Sequence, residues 1–168
     1  SWMERWLQTE WPELKVYLTS ITDQYATTTV AGPNARKVLQ KVCQDIDFSN
    51  EAFPFMSFQE GTIDGVFARV LRVSFSGELS YEVYVPANAG RHIWELLMQA
   101  GDEFGVTPYG TEAMHVLRAE KGYIIVGQDT DGSVTPVDLG MGGMVSKSKD
   151  CLGKRSLARS DTSGPNRK

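Results

Sequence analysis

His115 and Arg118 stand three residues apart in the stretch PYGTEAMHVLRAEKGYIIVGQDTDGSVTP, residues 108–136, and that spacing puts them on one face of a helix, which invites a site reading. Thr111 behind Gly110 can cap this helix, Ala113, Met114, Val116 and Leu117 form its apolar stripe, and Gly122 suits its end. A lone helical histidine is as a rule a surface or capping residue, and an arginine beside Glu112 and Glu120 is more often structural than catalytic. Downstream, Asp129-Thr130-Asp131-Gly132 opens like a calcium loop. Ser133 to Pro136 supply neither the alternating oxygen ligands nor the closing glutamate that calcium requires, so the segment reads as a Pro- and Gly-bounded turn at a pocket mouth.

Glu82 is the other chemical candidate. In SYEVYV, residues 80–85, strand alternation sets Ser80, Glu82 and Tyr84 against Tyr81, Val83 and Val85. A mid-strand carboxylate is costly unless it meets water or strong donors. Either it lies on a solvated sheet face, or it grips a flat two-donor edge such as the amino-pyrimidinone edge of a pterin, with Phe55, Phe75 and Tyr81 as stacking walls.

The elements that must position these residues alternate along the chain. Trp2, Met3, Trp6 and Leu7 have helical spacing with no residue read as a cap before them, and Pro12 ends that helix. Lys15–Ser20 and Tyr25–Val30 read as strands. Gly32-Pro33-Asn34 opens a helix, with Pro33 at its first position and Ala35, Val38, Leu39 and Val42 on one face. Val66–Phe75 and Ser80–Val85 flank the turn Ser76–Leu79 as a hairpin, and a helix with Ile93, Trp94, Leu97 and Met98 facing inward follows. With Val106-Thr107 as a last edge strand, the order is βαββαβ: an α+β, ferredoxin-like antiparallel sheet with its helices on one face. The expected division is a remnant of a preceding subdomain over 1–23, the sheet subdomain over 24–122 and an extended segment over 123–168. The tryptophan-rich opening and the polar close SDTSGPNRK both read as cut ends of something longer.

Composition fits an ordinary globular chain: 168 residues, 41% hydrophobic, 23% charged and a net charge of −4. A chain of this length can bury a core without staples. Cys43 and Cys151 have no ligand or CxxC spacing and read as reduced packing residues. No apolar run of spanning length and no leader pattern occur, and Lys and Arg form no cluster suited to phosphates. The expectation is a cytoplasmic protein without membrane or nucleic-acid partners.

Three segments, in order, resemble one family. VAGPNARKVLQ is similar to the AlxGPxAxxvLQ strand-to-helix step of glycine-cleavage T-proteins, and SFSGELSYEVYVP to their GYTGEDGFEI hairpin. TEAMHVLRAEKGYIIVGQDTDG, with VTPVDLGMG and GKRSL after it, resembles the sarcosine oxidase alpha branch of this aminomethyltransferase superfamily more than T-proteins proper. The resemblance covers nearly the whole chain. It implies a fold that binds tetrahydrofolate among three domains and transfers a one-carbon unit to it. In that branch sarcosine is oxidised at a flavin, giving glycine and methylenetetrahydrofolate, with FAD, FMN and NAD held in other segments and subunits.

Residue by residue, the resemblance implies that Glu82 binds the pterin and that Phe75 stands where T-proteins carry a pocket tyrosine, keeping the ring without the hydroxyl. Tyr81, Phe55, Met114 and His115 are the further expected folate contacts, although Met114 and His115 replace an Arg-Asp pair. Arg118 and Glu120 match the family's LRLE pattern and are expected to be supports beneath the pocket. The family's catalytic aspartate lies upstream of this sequence and its barrel domain downstream, so the chain by itself is expected to be inactive and at best a weak folate binder. The alternatives are another demethylase or aminomethyltransferase of the superfamily, and a non-catalytic module whose sheet or tryptophans dock a partner subunit.

Overall fold

The computed structural model describes residues 1–159, and the polar close expected at 160–168 lies outside the described residues. The chain forms two compact units, one over Ser1–Leu117 and one beginning at Arg118.

The first unit is built on four strands, β1 Tyr25–Ala31, β2 Phe58–Ile63, β3 Val66–Leu71 and β4 Ser80–Pro86, in the sheet order β1-β4-β3-β2 with every pair antiparallel. Alternation decides which side is core. Tyr81, Val83 and Val85 of β4 are buried, as are Ala68 and Val70 of β3, and helices α2 (Ala35–Val42) and α3 (Gly90–Gly101) cover them with Val38, Leu39, Ile93 and Leu97. Burying each of the valine, leucine and isoleucine side chains is worth about 1.5–3 kcal/mol. Gly90 lets α3 begin hard against β1, since a Cβ there would lie 2.4 Å from the Ala26 Cβ. Phe48, Phe53 and Tyr81 stack mutually, with centroids 5.5–5.8 Å apart, and add an aromatic cluster to this core.

The α+β class, the antiparallel sheet and the two helices on one face are as the sequence implies, and β1, β4 and β3 form the split βαβ arrangement. Strand β2 was not foreseen. Its signal was Asp64-Gly65, a hairpin dipeptide whose φ values of 50° and 75° make a tight turn into β3. Val106-Thr107 is not a strand: Gly105 is left-handed at φ 70° and the Val106 N–H bonds to Gly101 O, so capping of the preceding helix takes the amide that a ladder would need. Lys15–Ser20 is likewise no strand. Among the described residues it has no ladder partner, and Tyr17 is 93% exposed.

Helix α1, Trp2–Thr9, corrects another expectation, because Ser1 does cap it: Ser1 Oγ accepts from the Glu4 N–H at 3.3 Å while the Glu4 carboxylate returns to the Ser1 ammonium. Pro33 precedes the first residue of α2 by two positions, and Trp94 lies half-exposed on α3 rather than inward. Helix α4, Thr111–Glu120, ends at left-handed Gly122 as expected, but it takes in Thr111, expected as its cap, and Ala113 and Val116 of its apolar stripe are exposed. Both cysteines are free, Cys43 buried and Cys151 exposed.

Candidate functional site

Glu82 sits at the middle of β4, opposite Thr29 of β1 and Leu71 of β3, on the side of the sheet away from α2 and α3. Facing residues share a side, so Thr27, Thr29, Arg69, Leu71 and Tyr84 surround it there. The Tyr84 hydroxyl donates to Glu82 Oε2 at 2.6 Å, and both side chains are half-buried. Among the described residues Oε1 accepts no hydrogen bond. Bonding to Glu82 first and burial second push the Tyr84 phenol up to about 12. A cavity of roughly 400 Å³ opens on this face, lined by Ile21, Thr22, Tyr25, Thr27, Leu71 and Tyr84. Arg69 at its rim is already engaged, giving Nη2 and Nε to Glu60 Oε1 at 2.6 and 2.9 Å. The arrangement is therefore a half-buried carboxylate held through one oxygen by Tyr84, and it is Tyr84, not Glu82, that lines the cavity on this face.

The other sequence-derived candidates are distributed around the first unit. Tyr81, one residue from Glu82, faces the opposite side of the sheet, fully buried against Phe48 and Phe53, where its hydroxyl accepts from Arg36 Nε at 3.3 Å. It supplies core packing and presents no surface beside Glu82. Phe75, in the loop between β3 and β4, meets His115 of α4 edge-on with centroids 6.3 Å apart. Met114 is half-buried and lines a separate cleft of roughly 450 Å³ along the open edge of β1, with Thr29, Val30, Trp94 and Tyr109. Phe55 is exposed in the loop before β2 and has no ring contact or hydrogen bond to Glu82 among the described residues. Phe75 and His115 are thus brought together, and Glu82 is joined instead to Tyr84. Sequence alternation had put Tyr84 on the face of Glu82 but carried no sign of the bond between them.

In the second unit Arg118 is buried and forks onto Asp129: Nη1 and Nη2 both reach its carboxylate, Nη2 at 3.1 Å, and Nη1 also donates to Tyr123 O at 3.0 Å. Asp129 Oδ2 accepts from the Ile125 N–H at 2.7 Å. Asp131 accepts from the Ser133 N–H at 2.8 Å, closing a local turn. Arg118 and Asp129 therefore tether the 123–130 loop, Asp131 closes its own turn, and Asp129 is matched by a guanidinium where a calcium ligand would face a cation.

The profile of the GCVT N-terminal domain family matches residues 1–149. The chain is 58% identical over 168 residues to the sarcosine oxidase subunit alpha of Corynebacterium sp. (strain U-96), which covers 99% of this chain and 17% of that protein. It is 35% identical over 148 residues to the aminomethyltransferase of Halothermothrix orenii, covering 88% of this chain and 41% of that one. To the mitochondrial dimethylglycine dehydrogenase of Mus musculus it is 34% identical over 155 residues, covering 91% and 18%. The chain thus spans only a minor part of the length of each of these relatives.

Proposed function

The chain belongs to the GCVT N-terminal domain family, and from that premise we propose that it is the folate-binding part of a sarcosine oxidase alpha subunit. The whole protein would demethylate sarcosine oxidatively and pass the one-carbon unit to tetrahydrofolate. Identity of 58% across the chain to a sarcosine oxidase alpha subunit supports this branch over the aminomethyltransferase and dimethylglycine dehydrogenase relatives, at 35% and 34%. FAD, FMN and NAD would be held in other segments and subunits, and the exposed Trp2 and Trp11 would be covered by them.

The observation that carries the folate reading is Glu82, with Oε2 held by Tyr84 and Oε1 without a hydrogen bond among the described residues, on the sheet face away from the core. A pterin presents an amino group and a ring N–H side by side, and a carboxylate accepts both with charge-assisted bonds. The cavity next to Tyr84 offers apolar surface for a flat ring, so the residues present fit the group. Tetrahydrofolate, when bound, supplies the nitrogen nucleophile that accepts the one-carbon unit. Glu82 would hold and orient it; Phe75 and His115 pack edge-on against each other and line neither cavity, and Met114 stands in the neighbouring cleft without the cation an arginine would bring. The share of the work assigned to this chain is binding and orientation.

Calorimetric titration with tetrahydrofolate tests the reading. Binding that weakens at least tenfold in Glu82→Ala supports it; binding indifferent to the substitution overturns the site.

A further inference from the structure

Tyr84 has no role in the motifs through which the chain resembles its family, yet it makes the one hydrogen bond Glu82 receives among the described residues. We propose that Tyr84 is a positioning residue that locks the Glu82 carboxylate in the orientation that reads a 2-amino-4-oxo pyrimidine edge. The proposal rests on the reading of Glu82 as the pterin-binding group.

The geometry supports it in three ways. A free glutamate on a strand rotates about three side-chain bonds, and the planar carboxylate turns about the last of them with little preference. Flat two-donor recognition demands one setting of that plane. The Tyr84 hydroxyl, two residues along the same strand and on the same face, fixes Oε2 at 2.6 Å and leaves Oε1 open. Tyr84 is itself paired with Thr27 of β1 and Arg69 of β3, so the donor stands on a strand hydrogen-bonded on both sides. An ordinary phenol keeps its proton until about pH 10, and bonding to Glu82 pushes Tyr84 further up, so the hydroxyl is a proton donor throughout the neutral range. Thr29, directly opposite Glu82, makes no hydrogen bond to it, and among the described residues Tyr84 is the one side chain that donates to this carboxylate.

The proposal separates orientation from affinity in general. Removing only the hydroxyl, by Tyr84→Phe, keeps the aromatic floor of the cavity and frees the carboxylate to rotate. Affinity for tetrahydrofolate then falls about tenfold, the cost expected for one charge-assisted hydrogen bond. Affinity for a 2-desamino-2-methyl analogue, which lacks the amino donor, hardly changes, so the preference for the amino-bearing ligand shrinks by the same factor. General damage to the fold weakens both ligands alike.

The test uses the full 168-residue chain and ligand-observed NMR, which detects millimolar binding, with both ligands on the wild type, Tyr84→Phe and Glu82→Ala. Loss of preference for the amino-bearing ligand in Tyr84→Phe, with thermal unfolding near that of the wild type, is the expected result. An unchanged preference in Tyr84→Phe, with Glu82→Ala strongly impaired, overturns the positioning role alone. Absence of binding by the wild type, or wild-type behaviour of Glu82→Ala, overturns the reading of Glu82 and the proposal with it.

Discussion

Tyr81 and Glu82 are neighbours in sequence on opposite faces of one sheet, and replacing Tyr81 separates core from site. Truncation to alanine removes a fully buried ring that packs edge-on against Phe48 at 5.5 Å and Phe53 at 5.6 Å. Large aromatic-to-alanine changes in cores cost about 3–5 kcal/mol. The two ring pairs, at about 0.5–1.5 kcal/mol each, place this site toward the upper end. Against a total stability of about 5–15 kcal/mol, that loss is about a quarter of the fold or more. With a urea slope of about 1–3 kcal/mol per molar, the unfolding midpoint drops by about 1 M or more. Tyr81→Phe keeps both ring pairs and loses only the 3.3 Å bond from Arg36, which retains Asn50 Oδ1 at 2.7 Å, so about 1 kcal/mol or less is lost. Urea unfolding followed by tryptophan fluorescence reads both variants, and folate titration of Tyr81→Phe should match the wild type. An alanine loss below about 1 kcal/mol, or a phenylalanine variant that is stable but blind to folate, refutes the assignment of Tyr81 to the core.

Three further outcomes follow from the same structure. Gly90→Ala forces a Cβ to within 2.4 Å of Ala26 at the junction of α3 and β1, and a loss of about 1–3 kcal/mol is expected in thermal unfolding. Burial, then the Asp45 contact, pushes the Cys43 thiol up to about 12, so a thiol reagent at pH 8 titrates Cys151 promptly and Cys43 only after denaturation. The folded value exceeds the ordinary 9.0, so this group's contribution to stability is whole below about pH 9 and is lost as pH rises toward 12. Arg118→Met removes the fork on Asp129 and Tyr123, so hydrogen exchange at the Ile125 amide, which donates to Asp129, accelerates while the amides of β4 keep their protection.

Much of this was legible in the chain. The period-two pattern of residues 80–85 tells which side of β4 is core, and it sets Tyr81 away from Glu82, so the two do not share the pocket that the aromatic spacing suggests. The helices over Ala35–Val42 and Gly90–Gly101 follow from their apolar faces. What failed were short segments whose state depends on partners far along the chain. Lys15–Ser20 has strand composition but no strand beside it among the described residues, and the amide of Val106 was drawn into a helix cap. In the site, the identity of Glu82 came from its motif, whereas its bond to Tyr84 depends on rotamers that no spacing encodes.

The central claim is that Glu82 on the uncovered sheet face receives folate, and amide chemical-shift mapping of the labelled chain during tetrahydrofolate addition tests it most directly. Shifts concentrated at Thr29, Leu71, Glu82 and Tyr84, with Val38, Leu39 and Ile93 unmoved, are the predicted result. Shifts centred on Trp94 and Tyr109 in the β1-edge cleft, leaving Glu82 and Tyr84 in place, would contradict it.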